Sequence, residues 1–305
     1  MKNKIIKNFF FLKNLSLLKL INLNFILNKK TIIFWTILFF IFSAIMIFLC
    51  LVGCGNRTIA FQTIFDEHSQ YPWDHLSFSD AINIGVFGYI ETIFITIMVA
   101  SLSKKNISKQ IDTGNIFFWL LKPVKKSKII ISKALFIYTI TFFIWFINFI
   151  IFAAFMTEAK NDMENYKFAV LQMINYLVLM ILLETIIIFL NLILSNHDEW
   201  FNIIIWFFVI YLGLCFYNYF QWNTKIVNLL DFHNLIGNTL YFNREVVWKT
   251  IVLDSDAAGM TSQNIFEHVK INLWHFFIGY ILSIWAIVLI NYLLFIKFIK
   301  LEFNI

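Results

Sequence analysis

Glu91 and Glu184 are the side chains with the most chemical leverage in this sequence, because each stands alone in a long stretch that holds no other charge. An ionised carboxylate at the depth of the hydrocarbon costs at least about 2.5 kcal/mol on insertion scales, so each must face protein or water or carry a proton. Two chemistries are open to them: lining a path for a transported solute, or hydrogen-bonded glue between helices. Asn175, Asn191 and Asn291 could bond across helices or touch a cargo.

Other reactive types are sparse. Cys50, Cys54 and Cys215 have no ligand partners at zinc spacing, and His197, Asp198 and Glu199 read as a solvated turn, so no metal is expected. His275 reads as an interfacial histidine. Leu51 to Cys54 resembles a lipoprotein cleavage box, but the apolar run before it is too long and starts too late for a signal peptide, which makes a retained first span the expectation. There is no H-E-x-x-H, no G-x-S-x-G and no paired-acid motif, and none of the nine glycines opens a G-x-x-x-x-G-K-[ST] phosphate loop. The chain is not expected to be an enzyme, and it cannot itself hydrolyse ATP.

The elements that must position these groups follow from composition. The 305 residues are 60% apolar and 14% charged, with a mean hydropathy of +0.77. Soluble chains carry roughly a quarter charged residues, so this apolar surface must face lipid. The 38 Phe with abundant Ile, Asn and Lys suggest an A+T-rich, bacterial genome. Windows long enough to cross about 30 Å of hydrocarbon, roughly 20 helical residues, fall at 31–52, 81–103, 134–156, 168–195, 200–220 and 271–296. Helices are expected, since backbone groups in lipid must bond within their own segment. The expectation is an all-α membrane protein of six transmembrane helices in the cell membrane, with Glu91 near the midplane and Glu184 nearer the inner half.

Lysine placement orients it. Seventeen of the 24 Lys and Arg fall on one set of connections and tails and seven on the other, which puts both termini in the cytoplasm. The net charge of +6 is thereby explained by topology and needs no nucleic-acid partner. Residues 1–30 are basic and apolar and read as an interfacial helix leading into a permease domain over 31–305. The outer segment 221–270 is long enough to be functional or independently structured.

Within the lysine-rich segment 104–133, Gly114 and Asn115 can start a helix, Ile116 to Leu121 make two apolar turns, and Pro123 ends it. An apolar helix between lysine clusters either sinks into headgroups or docks into a groove on another protein. Asp112 two before Gly114, then Ile116, Phe117, Trp119, the Leu120–Leu121 pair, Pro123–Val124, a basic cluster from Lys125 to Lys128, and Ile129 to Ile131 before Lys133 together resemble the membrane subunits of ABC-2 type transporters. Members often have Glu where this chain has Gln110, and Gly-Thr where it has Gly114 and Asn115.

The resemblance implies a permease that exports an unidentified substrate. Asp112, Gly114, Ile116, Phe117, Trp119, Leu120, Leu121 and Pro123 would couple it to a separate ATPase subunit, which would bind the ATP and Mg. It implies a second permease protomer as well; on the path-lining reading of the buried carboxylates, one or both of Glu91 and Glu184 line the route between the two protomers. The alternative expectation is a stand-alone secondary carrier in which Glu91 and Glu184 relay protons.

Overall fold

The computed structural model describes residues 17–55, 87–113, 125–156, 163–217, 247–253, 261–267 and 273–300. In chain order the elements are α1 (Leu17–Gly55), α2 (Tyr89–Asn106), α3 (Ser108–Asp112), α4 (Lys126–Met156), α5 (Met163–Ile193), α6 (Asp198–Tyr217), β1 (Val247–Leu253), β2 (Thr261–Glu267) and α7 (Leu273–Lys300). α4 and α5 contain neither Gly nor Pro over 31 residues each. Their many β-branched residues would weaken a helix in water, but without water to take up the backbone groups the helix is the form that satisfies them.

Five helices, α1, α4, α5, α6 and α7, are long and apolar enough to cross a membrane. The described helix within the second expected span, 81–103, is α2. α2 has 18 residues, about 27 Å, and carries Glu91 in its first turn with Lys104 and Lys105 in its last. Its charges sit at its ends, where the macrodipole favours them, and eleven of its side chains are buried among the other helices. α1 runs unbroken through Lys29 and Lys30 for 39 residues, about 58 Å. From Leu17 onward the basic N-terminal segment is helical and continuous with the first expected span.

α5 is the central strut, with two-thirds of its apolar window buried against 11% for α1 and 17% for α7. Phe87 packs on Phe152 of α4 and on Tyr176 of α5 at 5.4 and 5.9 Å between ring centroids, and the Trp145 indole donates to the Met173 carbonyl at 3.0 Å. Trp206, Phe207, Trp285 and Leu282 are exposed on α6 and α7, the apolar surface that the composition assigns to lipid.

The long segment 221–270 contains the one non-helical element among the described residues. β1 and β2 pair antiparallel, with Val247 opposite Glu267 and Leu253 opposite Thr261. The all-helical expectation is amended there: the run from Val247 to Leu253 is dense in β-branched and aromatic residues, which fit a pleated surface. Ile226 to Tyr241, the apolar part of that segment, lies outside the described residues.

Candidate functional site

α1, α2, α4 and α5 are locked in register by two layers of buried polar side chains. In the first, Lys133 of α4 donates through Nζ to the Asn106 carbonyl oxygen at 2.6 Å and to the Gln110 side-chain oxygen. Asn28 of α1 donates to Asn106 Oδ1 at 2.7 Å, and Ser108 donates to Asn191 Oδ1 of α5 at 2.5 Å. In the second, Ser43 of α1 donates to Asn148 Oδ1 of α4 at 3.0 Å, and Asn148 Nδ2 donates to Glu91 Oε1 of α2 at 3.1 Å. Beside them Thr92 Oγ1 and the Tyr176 hydroxyl of α5 meet at 3.2 Å.

Each helix contributes one residue to each layer at the same spacing. Asn28 and Ser43, Glu91 and Asn106, Lys133 and Asn148, and Tyr176 and Asn191 are all fifteen residues apart, which separates the layers by about 22 Å. α1 and α4 run from the lysine layer to the glutamate layer, and α2 and α5 run back, so consecutive long helices alternate in direction.

The lysine layer controls how the chain leaves α2. The turn at Ile107 ends that helix, and the five-residue α3 continues from it in a new direction, with the Ile107 amide still bonded to the Ser103 carbonyl at 2.8 Å. A helix end leaves its last carbonyls without intrahelical donors. Here the buried Lys133 ammonium takes one of them, at Asn106, and its charge suits the negative end of the α2 dipole. The same ammonium holds Gln110. Gln110 makes this contact through its amide oxygen.

Next to this clamp, Lys104 pairs with Asp198 at 2.9 Å and donates to Asn202 Oδ1 at 3.4 Å. Asp112 ends α3 and is exposed. Partial burial, then the Asp198 carboxylate, raise its carboxyl above the ordinary value, and Lys104 opposes the rise. His197 is exposed in the turn before α6, its carbonyl accepts from the Phe201 amide at 3.2 Å, and Asp198 and Glu199 stand in the first turn of that helix. Of the expected coupling residues only Asp112 is described. Gly114, Ile116, Phe117, Trp119, Leu120, Leu121 and Pro123 lie outside the described residues, as do the side chains of His275, Cys50 and Cys54.

Glu91 and Glu184 are both fully buried inside a single chain. Glu91 sits in the first turn of α2, in the glutamate layer. Glu184 lies about halfway between the layers along α5, so it, and not Glu91, is the carboxyl nearest the middle of the bundle. Among the remaining expected residues, Asn191 and Asn291 bond across helices, the latter accepting from the Tyr138 hydroxyl at 3.1 Å. Cys215 is buried and forms no disulfide among the described residues. No group of three His, Cys, Asp or Glu that could hold a metal occurs among the described residues.

Sequence reasoning passed over Ser43, Asn148, Asn28 and Tyr176, and it saw Lys133 only as the residue that opens a span. The recurrence of a polar residue fifteen positions from another in four apolar segments was the signal that could have found them. Comparison with protein-family models, with curated proteins and with solved structures gave no match.

Proposed function

We propose that this chain is the membrane permease subunit of an ABC-2 type transporter, spanning the membrane six times with both termini in the cytoplasm. It exports an unidentified substrate with ATP hydrolysed by a separate ATPase subunit, and a second permease protomer completes the transporter. The observation that carries this reading is the lysine clamp. One buried ammonium on α4 holds the end of α2 and Gln110 of α3 just before residues 114–124, and Asn28 adds α1, so a push on that segment would reach three long helices through hydrogen bonds.

Gly114, Ile116, Phe117, Trp119, Leu120, Leu121 and Pro123, with Asp112, form the contact with the ATPase. A role for Glu91 and Glu184 in the cargo path requires α2 and α5 to part from α4 during the stroke, because helices of the same chain enclose both carboxyls.

The test is purification of the full chain from its native membrane, with Trp119 and Leu120 each replaced by Glu in one variant. The wild type is expected to bring down an ATPase bearing a phosphate loop, and the variant to reach the membrane in equal amount without it. Equal recovery of that ATPase with both chains would overturn the reading.

A further inference from the structure

Lys29 and Lys30 stand at the edge of the charge-free run that begins at Thr31 of α1, and Lys104 and Lys105 close the charge-free run from Thr92 to Ser103 of α2. The two edges meet. Lys105 Nζ donates to Thr31 Oγ1 at 2.5 Å, so the last turn of α2 lies at the depth where α1 loses its charges. Trp35, one turn along α1 from Thr31, and the exposed Trp200, beside the Asp198 that pairs with Lys104, mark the same level, and such rings favour the membrane–water interface.

The lysines at this edge differ in what answers their charge. Lys104 is paired with Asp198. Lys29, Lys30 and Lys105 are exposed and have no carboxylate partner among the described residues. An ammonium has three hydrogens, so the bond to Thr31 leaves Lys105 two for a ligand. Cations without a counterion at headgroup depth attract an anion.

The surface next to them is apolar. Leu27, Lys30, Thr31 and Phe34 follow at three- and four-residue spacing and share one face of α1, on which Leu27 is 55% and Phe34 59% exposed. Ile41, also exposed, continues the stripe two turns on, and Phe42 after it stacks on Phe94 of α2 at 4.6 Å, so α2 flanks it. From Thr31 to Ile41 is about 15 Å, the depth of one leaflet of a hydrocarbon core about 30 Å thick. A free inorganic anion would use the lysines alone, whereas a lipid with an anionic headgroup uses the lysines and the stripe together.

We propose that Lys30 and Lys105 bind the phosphate of one anionic phospholipid whose acyl chain lies along Phe34 and Ile41. The site requires that the chain cross a membrane. It does not depend on the coupling reading, since no residue from 112 to 124 takes part.

The experiment titrates the full chain, purified in a neutral maltoside detergent, with phosphatidylglycerol, phosphatidylcholine or inorganic phosphate. The unfolding midpoint is followed by tryptophan fluorescence, and retained lipid is counted by native mass spectrometry. Phosphatidylglycerol is expected to raise the midpoint in a saturable way with one lipid retained, and the other two to leave it unchanged. Lys30→Gln and Lys105→Gln are each expected to raise the half-saturating lipid concentration about fivefold, the weight of one lysine near an anionic surface. Phe34→Ala weakens the response several-fold. Lys297→Gln, at an exposed lysine in the last turn of α7, leaves the titration as it was. Lys30→Gln keeps the test intact should Lys105→Gln, which also alters the bond to Thr31, fail to fold. No response to phosphatidylglycerol, an equal response to phosphatidylcholine, a response to phosphate alone, or a loss in Lys297→Gln as large as in Lys30→Gln would overturn the proposal.

Discussion

The Nζ of Lys133 lies 2.6 Å from the carbonyl oxygen of Asn106, so a fully buried ammonium on α4 closes the open end of α2. Because the same group holds Gln110, the direction in which α3 leaves α2 is set by a side chain on a third helix.

Lys133→Met keeps the aliphatic stem and deletes the donor. It leaves the buried Asn106 carbonyl short of a partner, at a cost of about 1–3 kcal/mol, and takes a donor from the half-buried Gln110 amide oxygen. The midpoint of unfolding is expected to fall, and amide exchange at 107–113 to accelerate more than in the middle of α5. Gln110→Glu, which keeps an acceptor and adds charge assistance, is expected to preserve the slow exchange. Equal exchange in wild type and Lys133→Met would remove the clamp from the account.

Ser43, Asn148 and Glu91 form a relay across three helices, so their substitutions should not add. Ser43→Ala and Asn148→Ala are each expected to cost of the order of 0.6–1.5 kcal/mol, in the range measured for hydrogen bonds between helices in membranes and in proteins generally. The double variant should cost less than the sum, and a thermodynamic cycle in denaturant measures the difference.

Asp112 gives a pH test outside the membrane. Its carboxyl is raised in the folded chain, so ionising it costs the fold more than it costs the unfolded chain. The penalty is fully present above the raised value. It is relieved as pH falls through that value toward the ordinary 3.8 and absent below it. Asp112→Asn is therefore expected to raise the unfolding midpoint at neutral pH and to leave it unchanged in strong acid. A variant less stable than wild type at neutral pH would contradict the assignment.

The Lys104–Asp198 pair is about one-third exposed at both ends. A pair of that kind is worth about 0.2–1 kcal/mol and is screened by salt. Lys104→Met is expected to lower the midpoint slightly at low ionic strength, with a loss that shrinks as salt is added.

The fold was legible wherever lipid dictates it. Long apolar runs without proline gave α4 to α7, within five residues at every end except the start of α4, which begins eight residues before its window, because a buried backbone has few options. Within the window 81–103 the described helix begins at Tyr89. Lys29 and Lys30 look like a boundary in the sequence, and in α1 they are exposed side chains on one continuous helix. The site was less legible. A serine or asparagine inside an apolar run has little weight alone, and only the pairing of Ser43 with Asn148, or Asn28 with Asn106, gives it a role. β1 and β2 were hidden because a hairpin between two spans carries no lipid signature.

The most direct test of the account is to place a photo-crosslinking amino acid at Leu121 of the full chain in living cells and identify what it captures. The account expects an adduct with an ATPase that bears a phosphate loop, formed from the cytoplasmic side. Labelling of a Leu121→Cys variant by an impermeant thiol reagent added outside the cell, with no ATPase adduct, would contradict it.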